Sequence, residues 1–159
     1  TAVSALGRFN CGFGRMEKFD LGAGGTRMML VKNPAGCNQV ISFLREIGED
    51  FTLVVCLNDR SADGTDISWI WDAEFERLEE IRDRIRNVYV SGTRAGDMQL
   101  RMKYAGIDPE KIRLETDYAR LVDAMAAQEV PVFIMPTYTA MLDLREHLIR
   151  RCGVADFWE

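Results

Sequence analysis

The sequence predicts an α/β fold built on a doubly wound, mainly parallel sheet with helices on both faces. Three observations carry that expectation: runs of continuous apolar residues, helical spacing of apolar residues between those runs, and polar clusters directly behind them. Continuous apolar character, in place of alternation, marks strands covered on both faces. Regular alternation of such strands with helices implies parallel pairing through crossovers.

Taken in order, Met28-Met29-Leu30-Val31 is the first predicted strand, followed by Val40, Leu44 and Ile47 at helical spacing. Phe51 to Leu57 is the next strand, and Phe75, Leu78, Ile81 and Ile85 behind it read as a helix. Asn87 to Gly92 is a further strand, with Met98, Met102 and Ala105 marking the helix after it. Lys111 to Glu115 is a shorter strand, and Leu121, Val122 and Met125 follow Asp117 as a helix. Val130 to Met135 is the last predicted strand, and Met141, Leu144 and Leu148 form the last helical stripe. In a doubly wound sheet ligands gather at the carboxyl ends of the strands. The polar clusters Lys32 to Gly36, Asn58 to Asp72, Ser91 to Arg94 and Pro136 to Thr139 all fall there.

A length of 159 residues predicts one domain over the whole chain, with residues 1 to about 27 as a lead-in segment. Apolar residues make up 47% and charged residues 28%, an ordinary globular balance. The longest apolar runs, Met28 to Val31 and Val130 to Pro136, are far short of the roughly 20 residues a membrane helix needs. Direct membrane insertion is therefore not expected. Thr1 to Asn10 has neither an initiator Met nor a basic region before an apolar core, so the chain reads as a piece of a longer protein. A net charge of −5 disfavours nucleic acid and anionic membrane as direct partners. Cys11, Cys37, Cys56 and Cys152 form no CxxC pair, and with a single histidine they make no conventional zinc site. Reduced thiols, and hence a cytoplasmic location, are expected.

No GxGxxG and no GxxxxGK[ST] is present, so any nucleotide must be held mainly elsewhere. The glycine-dense Gly22-Ala23-Gly24-Gly25 reads as a hairpin or loop in preference to a phosphate site. His147 is the only histidine and is expected to be exposed on the last helix beside Arg145 and Glu146, so no histidine-based triad can be assembled within the chain. Arg94 follows a strand and opens a helix, where it either joins the helix amides in binding an anion or stands solvated behind a Thr93 cap. The segment Asn58 to Asp72 carries four aspartates and two tryptophans in fifteen residues. Its tryptophans can anchor the loop to the core, leaving Asp59, Asp63 and Asp66 at the strand edge to orient a base or meet a partner.

At these loops the chain resembles a known family. Leu30 to Gln39, Leu57-Asn58-Asp59 through Ala62-Asp63-Gly64, Asp66 to Asp72, Ser91 to Ala95 and Pro136 to Met141 together resemble the C-terminal domain of the MurT family, in family order, from about Gly12 to Leu148. More distantly the chain is similar to the C-terminal domains of the Mur ligases. Phe13-Gly14-Arg15-Met16-Glu17 resembles the segment leading into that domain, and Lys32-Asn33-Pro34 sits where the ligases approach ATP. Where they carry Asp-Asn-Pro-Arg, only Arg94 is kept, a departure that fits an enzyme adding ammonia rather than an amino acid.

The resemblance implies part of an ATP-dependent, glutamine-hydrolysing ligase that amidates the D-glutamate of the peptidoglycan precursor lipid II to D-isoglutamine. ATP and Mg2+ would serve the full subunit, with Lys32, Asn33, Arg15 and Arg94 contributing to the nucleotide site and no cofactor required by this chain alone. The phosphate loop and a zinc ribbon would lie in a central domain outside this chain. The implied partner is a GatD-type glutaminase that supplies a cysteine and a histidine, with Asp66 of this chain as third triad member and Asp72 as the reserve. The alternatives are a scaffold that binds the glutaminase without lending it a group, and a stand-alone nucleotide-binding module.

Overall fold

The computed structural model describes residues 16 to 153 and 156 to 158. Their strands are β1 (Met16–Phe19), β2 (Thr26–Met29), β3 (Phe51–Cys56), β4 (Ile85–Ser91), β5 (Ile112–Leu114), β6 (Val132–Pro136) and β7 (Asp156–Trp158). The helices are α1 (Pro34–Arg45), α2 (Ala95–Tyr104), α3 (Tyr118–Ala126) and α4 (Tyr138–Cys152). One seven-stranded sheet has the order β5-β4-β3-β6-β2-β1-β7. Every pair from β5 to β2 is parallel, while β1 runs antiparallel to both β2 and β7.

The continuous apolar runs become strands whose alternate residues enter two separate cores. Phe51, Leu53 and Val55 of β3, with Phe133 and Met135 of β6, face a core closed by α1, α2 and the tight helical turns of Phe75–Arg84. Val54, Cys56, Val132 and Ile134 face the other core, closed by α3 and α4. In the first core Phe133 meets Phe43 and Phe51 edge-on at 5.9 and 5.6 Å between ring centroids, the arrangement that aromatic quadrupoles favour. The chain leaves β3 toward one face and β6 toward the other, so these adjacent strands diverge at their carboxyl ends. Such a divergence opens a crevice at the strand ends.

Two elements differ from the sequence expectation. Phe75 to Ile85 is not an α-helix: Phe75–Arg84 is a 3-10 helix with a break at Ile81 (φ −117°, ψ 17°), and Ile85 opens β4. Phe75, Leu78 and Ile81 recur every three residues, a spacing that suits the three-residue turn of a 3-10 helix as well as an α-helical face. The first predicted strand also pairs two residues earlier, over Thr26–Met29, after which the Val31 N–H reaches the Pro136 carbonyl at 3.0 Å. The lead-in segment supplies β1, whose Glu17 is buried against the Arg145 guanidinium of α4 at 2.7 Å. The glycine-dense stretch is the turn joining β1 to β2. A Cβ on Gly24 would lie 2.4 Å from the Pro131 nitrogen, so the glycine there permits backbone contact.

Burial pushes the Cys37 and Cys56 thiols up to about 12. Cys152, half-buried near the end of α4, is raised less. Thiolate is the reactive form. Brief alkylation of the native chain at pH 8, read by peptide mass spectrometry, is therefore expected to mark Cys152 well ahead of Cys37 and Cys56. Equal labelling of the three would contradict the burial described.

Candidate functional site

The carboxyl edge is built around Asn58, the second residue after β3, which is only 2% exposed. Its backbone N–H donates to the Thr137 hydroxyl at 2.9 Å, and its side-chain amide donates to the Thr139 hydroxyl at 2.9 Å. Its side-chain oxygen accepts the Thr93 N–H at 2.9 Å. One residue thus joins the loops that follow β3, β4 and β6. The turn after β4 passes so close that a Cβ on Gly92 (φ +95°) would stand 2.4 Å from the Leu57 carbonyl oxygen. Glycine is needed there on both counts.

Beyond Asn58 the loop is pinned again. The Asp59 N–H donates to the Thr93 hydroxyl at 3.2 Å, and that hydroxyl donates back to the Asp59 carboxylate at 3.0 Å. Arg94 opens α2 with its Nε on Asp97 at 2.7 Å and one terminal nitrogen 3.4 Å from Asp59. Thr93 therefore holds Asp59 in place of capping α2, and the Arg94 fork is engaged by two carboxylates. The Asp63 carboxylate accepts the Thr139 N–H at 2.8 Å and the Thr139 hydroxyl at 2.5 Å, at the start of α4.

Asp66 is exposed, and its carboxylate accepts the Ser68 N–H at 2.8 Å. That N–H, with the Ser68 hydroxyl, holds the Asp66 carboxyl below the usual carboxylate range. The turn stabilisation from a depressed carboxyl is present at neutral pH and fades as acid protonates it. Trp69 and Ile70 pack into the first core, whereas Trp71 is 47% exposed with its ring edge-on to Tyr104 at 5.5 Å. Asp72 is exposed at the end of the short helix Ser68–Trp71.

Sequence reasoning missed Arg101. This α2 side chain is fully buried, with Nε on the Ile70 carbonyl at 2.7 Å and one terminal nitrogen on the Ala73 carbonyl at 2.8 Å and on the Glu76 carboxylate at 2.7 Å. Its guanidinium lies 5.1 Å from the Trp71 ring and 5.3 Å from the Phe75 ring. A signal existed: Arg101 stands three residues after Met98 and four before Ala105, on the apolar stripe of the helix.

Lys32 and Asn33 are exposed at the start of α1, where the Asn33 side-chain oxygen caps the helix by accepting the Gly36 N–H at 2.8 Å. They follow β2 and Arg94 follows β4, with two strands between them in the sheet order, a separation of about 14 Å across the ladder. Arg15 lies outside the described residues. His147 is half-buried on α4 with its ring 5.9 Å from that of Tyr118, not exposed as the sequence suggests. Among the described residues no group of three His, Cys, Asp or Glu is placed to hold a metal ion, and no helix is long and apolar enough to cross a membrane.

The mostly parallel sheet between two layers of helices defines a Rossmann-like α/β domain, and solved structures of a Mur ligase and a folylpolyglutamate synthase share the fold. The UDP-N-acetylmuramate-alanine ligase MurC of Thermotoga maritima matches 84% of this chain over 29% of its own, with a TM-score of 0.51 and 10% sequence identity. Folylpolyglutamate synthase of Mycobacterium tuberculosis, in a structure complexed with ADP, matches 78% of this chain over 30% of its own, with a TM-score of 0.52 and 16% identity. The model of the MurT ligase C-terminal family matches residues 30 to 141, and the chain belongs to that family. Subunit MurT of the glutamine-hydrolyzing lipid II isoglutaminyl synthase of Streptococcus pneumoniae is 36% identical over 140 residues, which are 87% of this chain and 31% of that protein. The chain thus spans about a third of the length of the curated relatives it matches.

Asn58→Ala removes the acceptor for the Thr93 N–H and the donor to Thr139 together. It is expected to lower the unfolding free energy by about 1–3 kcal/mol, as when a buried polar partner is orphaned. Denaturant unfolding followed by tryptophan fluorescence measures this, and an unchanged midpoint would show that the three loops hold without Asn58.

Proposed function

We propose that the chain is the C-terminal domain of the ATP-dependent subunit of a cytoplasmic lipid II isoglutaminyl synthase, and that Asp66 completes the catalytic triad of a GatD-type glutaminase docked on it. The observation that carries the reading is the placement of Asp66: an exposed carboxylate, accepting the Ser68 N–H, on a loop tied to the sheet edge at Asn58, Asp59 and Asp63. Its similarity to subunits MurT of glutamine-hydrolyzing lipid II isoglutaminyl synthases supports the substrate and the reaction.

In the proposed reaction the full subunit transfers the terminal phosphoryl group of ATP to the D-glutamate carboxylate of lipid II, giving an acyl phosphate and ADP. The glutaminase hydrolyses glutamine to glutamate and ammonia, and the ammonia displaces phosphate to leave D-isoglutamine. Asp66 would accept a hydrogen bond from the partner's histidine, fix its tautomer and stabilise the imidazolium formed as the cysteine becomes a thiolate. An orienting acid must itself stay ionised, and the Ser68 N–H favours that form. Asp72, six residues on, is the reserve for this role.

The residues present fit one wall of a nucleotide site. Lys32 and Asn33 stand at the start of α1, where the amides and dipole of the helix favour phosphate, with Arg15 as a further contributor; Arg94 would join them only by giving up its pairing with Asp59 or Asp97. Mg2+ would neutralise phosphate charge when bound, held by the rest of the subunit. ATP held by this chain alone is therefore expected to be too weak for calorimetry to resolve, and micromolar affinity would overturn the shared-site reading.

In the full-length subunit assembled with its glutaminase, Asp66→Asn is expected to preserve the complex and cut glutamine hydrolysis by on the order of 10²- to 10⁴-fold, as when a triad's acid is neutralised. Trp71→Ala, by loosening the loop, is expected to reduce assembly and turnover together. Full activity in Asp66→Asn with loss in Asp72→Asn would move the role along the loop. Full activity in both would leave a scaffold that binds the glutaminase and lends it nothing.

A further inference from the structure

We infer that Asp63 and Arg101 are positioning residues for Asp66, clamping its loop from the two sides; this rests on the triad role proposed above. The hydrogen bond Asp66 makes is inside its own turn, to Ser68 two residues on. That bond shapes the turn but cannot fix where the turn stands relative to the sheet. A triad acid misplaced by about 1 Å loses much of its effect, so the placement must come from the flanks.

On the upstream side, three residues before Asp66, the Asp63 carboxylate is bound to the first turn of α4 through the Thr139 N–H and hydroxyl. It also accepts the Arg60 N–H at 3.1 Å, which closes the loop on itself. Thr137 occupies the cap position of α4 but makes no side-chain cap, because its hydroxyl accepts the Asn58 N–H. Asp63 thus supplies from the loop the cap that α4 lacks, and the carboxylate is favoured there by the helix dipole. Helix and loop register are thereby one structure.

On the downstream side, four residues after Asp66, Arg101 grips the Ile70 and Ala73 carbonyls from within the core. Packing alone would be served by a Met or Leu at that place without burying a cation. The planar fork adds directional contact with two backbone carbonyls and with the Glu76 carboxylate, while Trp71 and Phe75 flank the guanidinium. A lysine cannot reproduce that fork. Asp66 therefore sits on a span held at Asp63 and at Ile70, each end tied to a different helix.

The test uses the full-length subunit assembled with its glutaminase, measuring kcat and KM for glutamine hydrolysis, complex affinity and melting temperature. Asp63→Asn and Arg101→Lys are made alone and on top of Asp66→Asn. Each alone is expected to lower kcat about 10-fold, with KM for glutamine and complex affinity within about twofold. In the Asp66→Asn background neither is expected to lower kcat further, because a residue acting through Asp66 has nothing left to position. Wild-type kcat in the single variants would overturn the inference, as would an equal further loss in the double variants. If Arg101→Lys fails to assemble, Asp63→Asn and Glu76→Gln, both at solvent-accessible positions, decide the matter by the same criteria. A silent Asp66→Asn would remove Asp66 from the triad and the clamp with it, whereas an effective Asp66→Asn with silent Asp63→Asn sinks only the clamp.

Discussion

Asn58 is the constraint on which the carboxyl edge depends. Strands β3 and β6 send their following chain to opposite faces of the sheet, and the last backbone bond between them runs from the Thr137 N–H to the Cys56 carbonyl, so beyond it side chains must keep their ends together. A buried amide with one acceptor and paired donors can bind both loops and the turn after β4 at once. Gly92 permits the approach that this bonding requires, since any Cβ would collide with the Leu57 carbonyl. The same region is unusually costly to leave half-bonded, because polar groups there are largely removed from water. Closure of the crevice and placement of the Asp59 to Asp66 loop are therefore one event.

The parallel part of the sheet was legible in the sequence because its strands are buried on both faces, which leaves continuous apolar runs such as Phe51 to Leu57. β1 was not legible, because Glu17 and Lys18 interrupt the apolar pattern and Glu17 is accommodated only through Arg145, 128 residues away. A local reading cannot see that pairing. Phe75 to Ile85 misled for another reason: a spacing of three fits both helical periods, and the choice was made by the early turn into β4.

The site divides in the same way. Polar residues just past a strand end are visible in one dimension, which marks Asp59, Asp63, Asp66 and Arg94, whereas Asp72 enters only through the family resemblance. Their partners are not visible. Asp63 meets Thr139 at a separation of 76 residues and Arg101 meets Ile70 at 31, so no local pattern announces either bond. What the sequence did contain was a charged residue on an apolar helical stripe at Arg101. A charge in that place either snorkels to solvent or is buried with partners, and its burial is what turns a polar loop into a fixed one.

The electrostatics of Arg94 bear on the chemistry of the edge. An arginine recognises a carboxylate or phosphate by offering an unmatched fork and charge. Here Asp97 and Asp59 engage the fork first, so the immediate surroundings of the guanidinium carry two negative charges against one positive. An incoming anion would have to displace one of those carboxylates, and the exposed geometry gives it little free energy to do so. A neutral nucleophile needs no such recognition. The compensated arginine fits the reaction proposed above, in which the incoming nucleophile is neutral, and in that proposal two tasks divide along this edge: Lys32 and Asn33 would meet phosphate at the start of α1, while the strand ends around Arg94 hold the loop that carries Asp66.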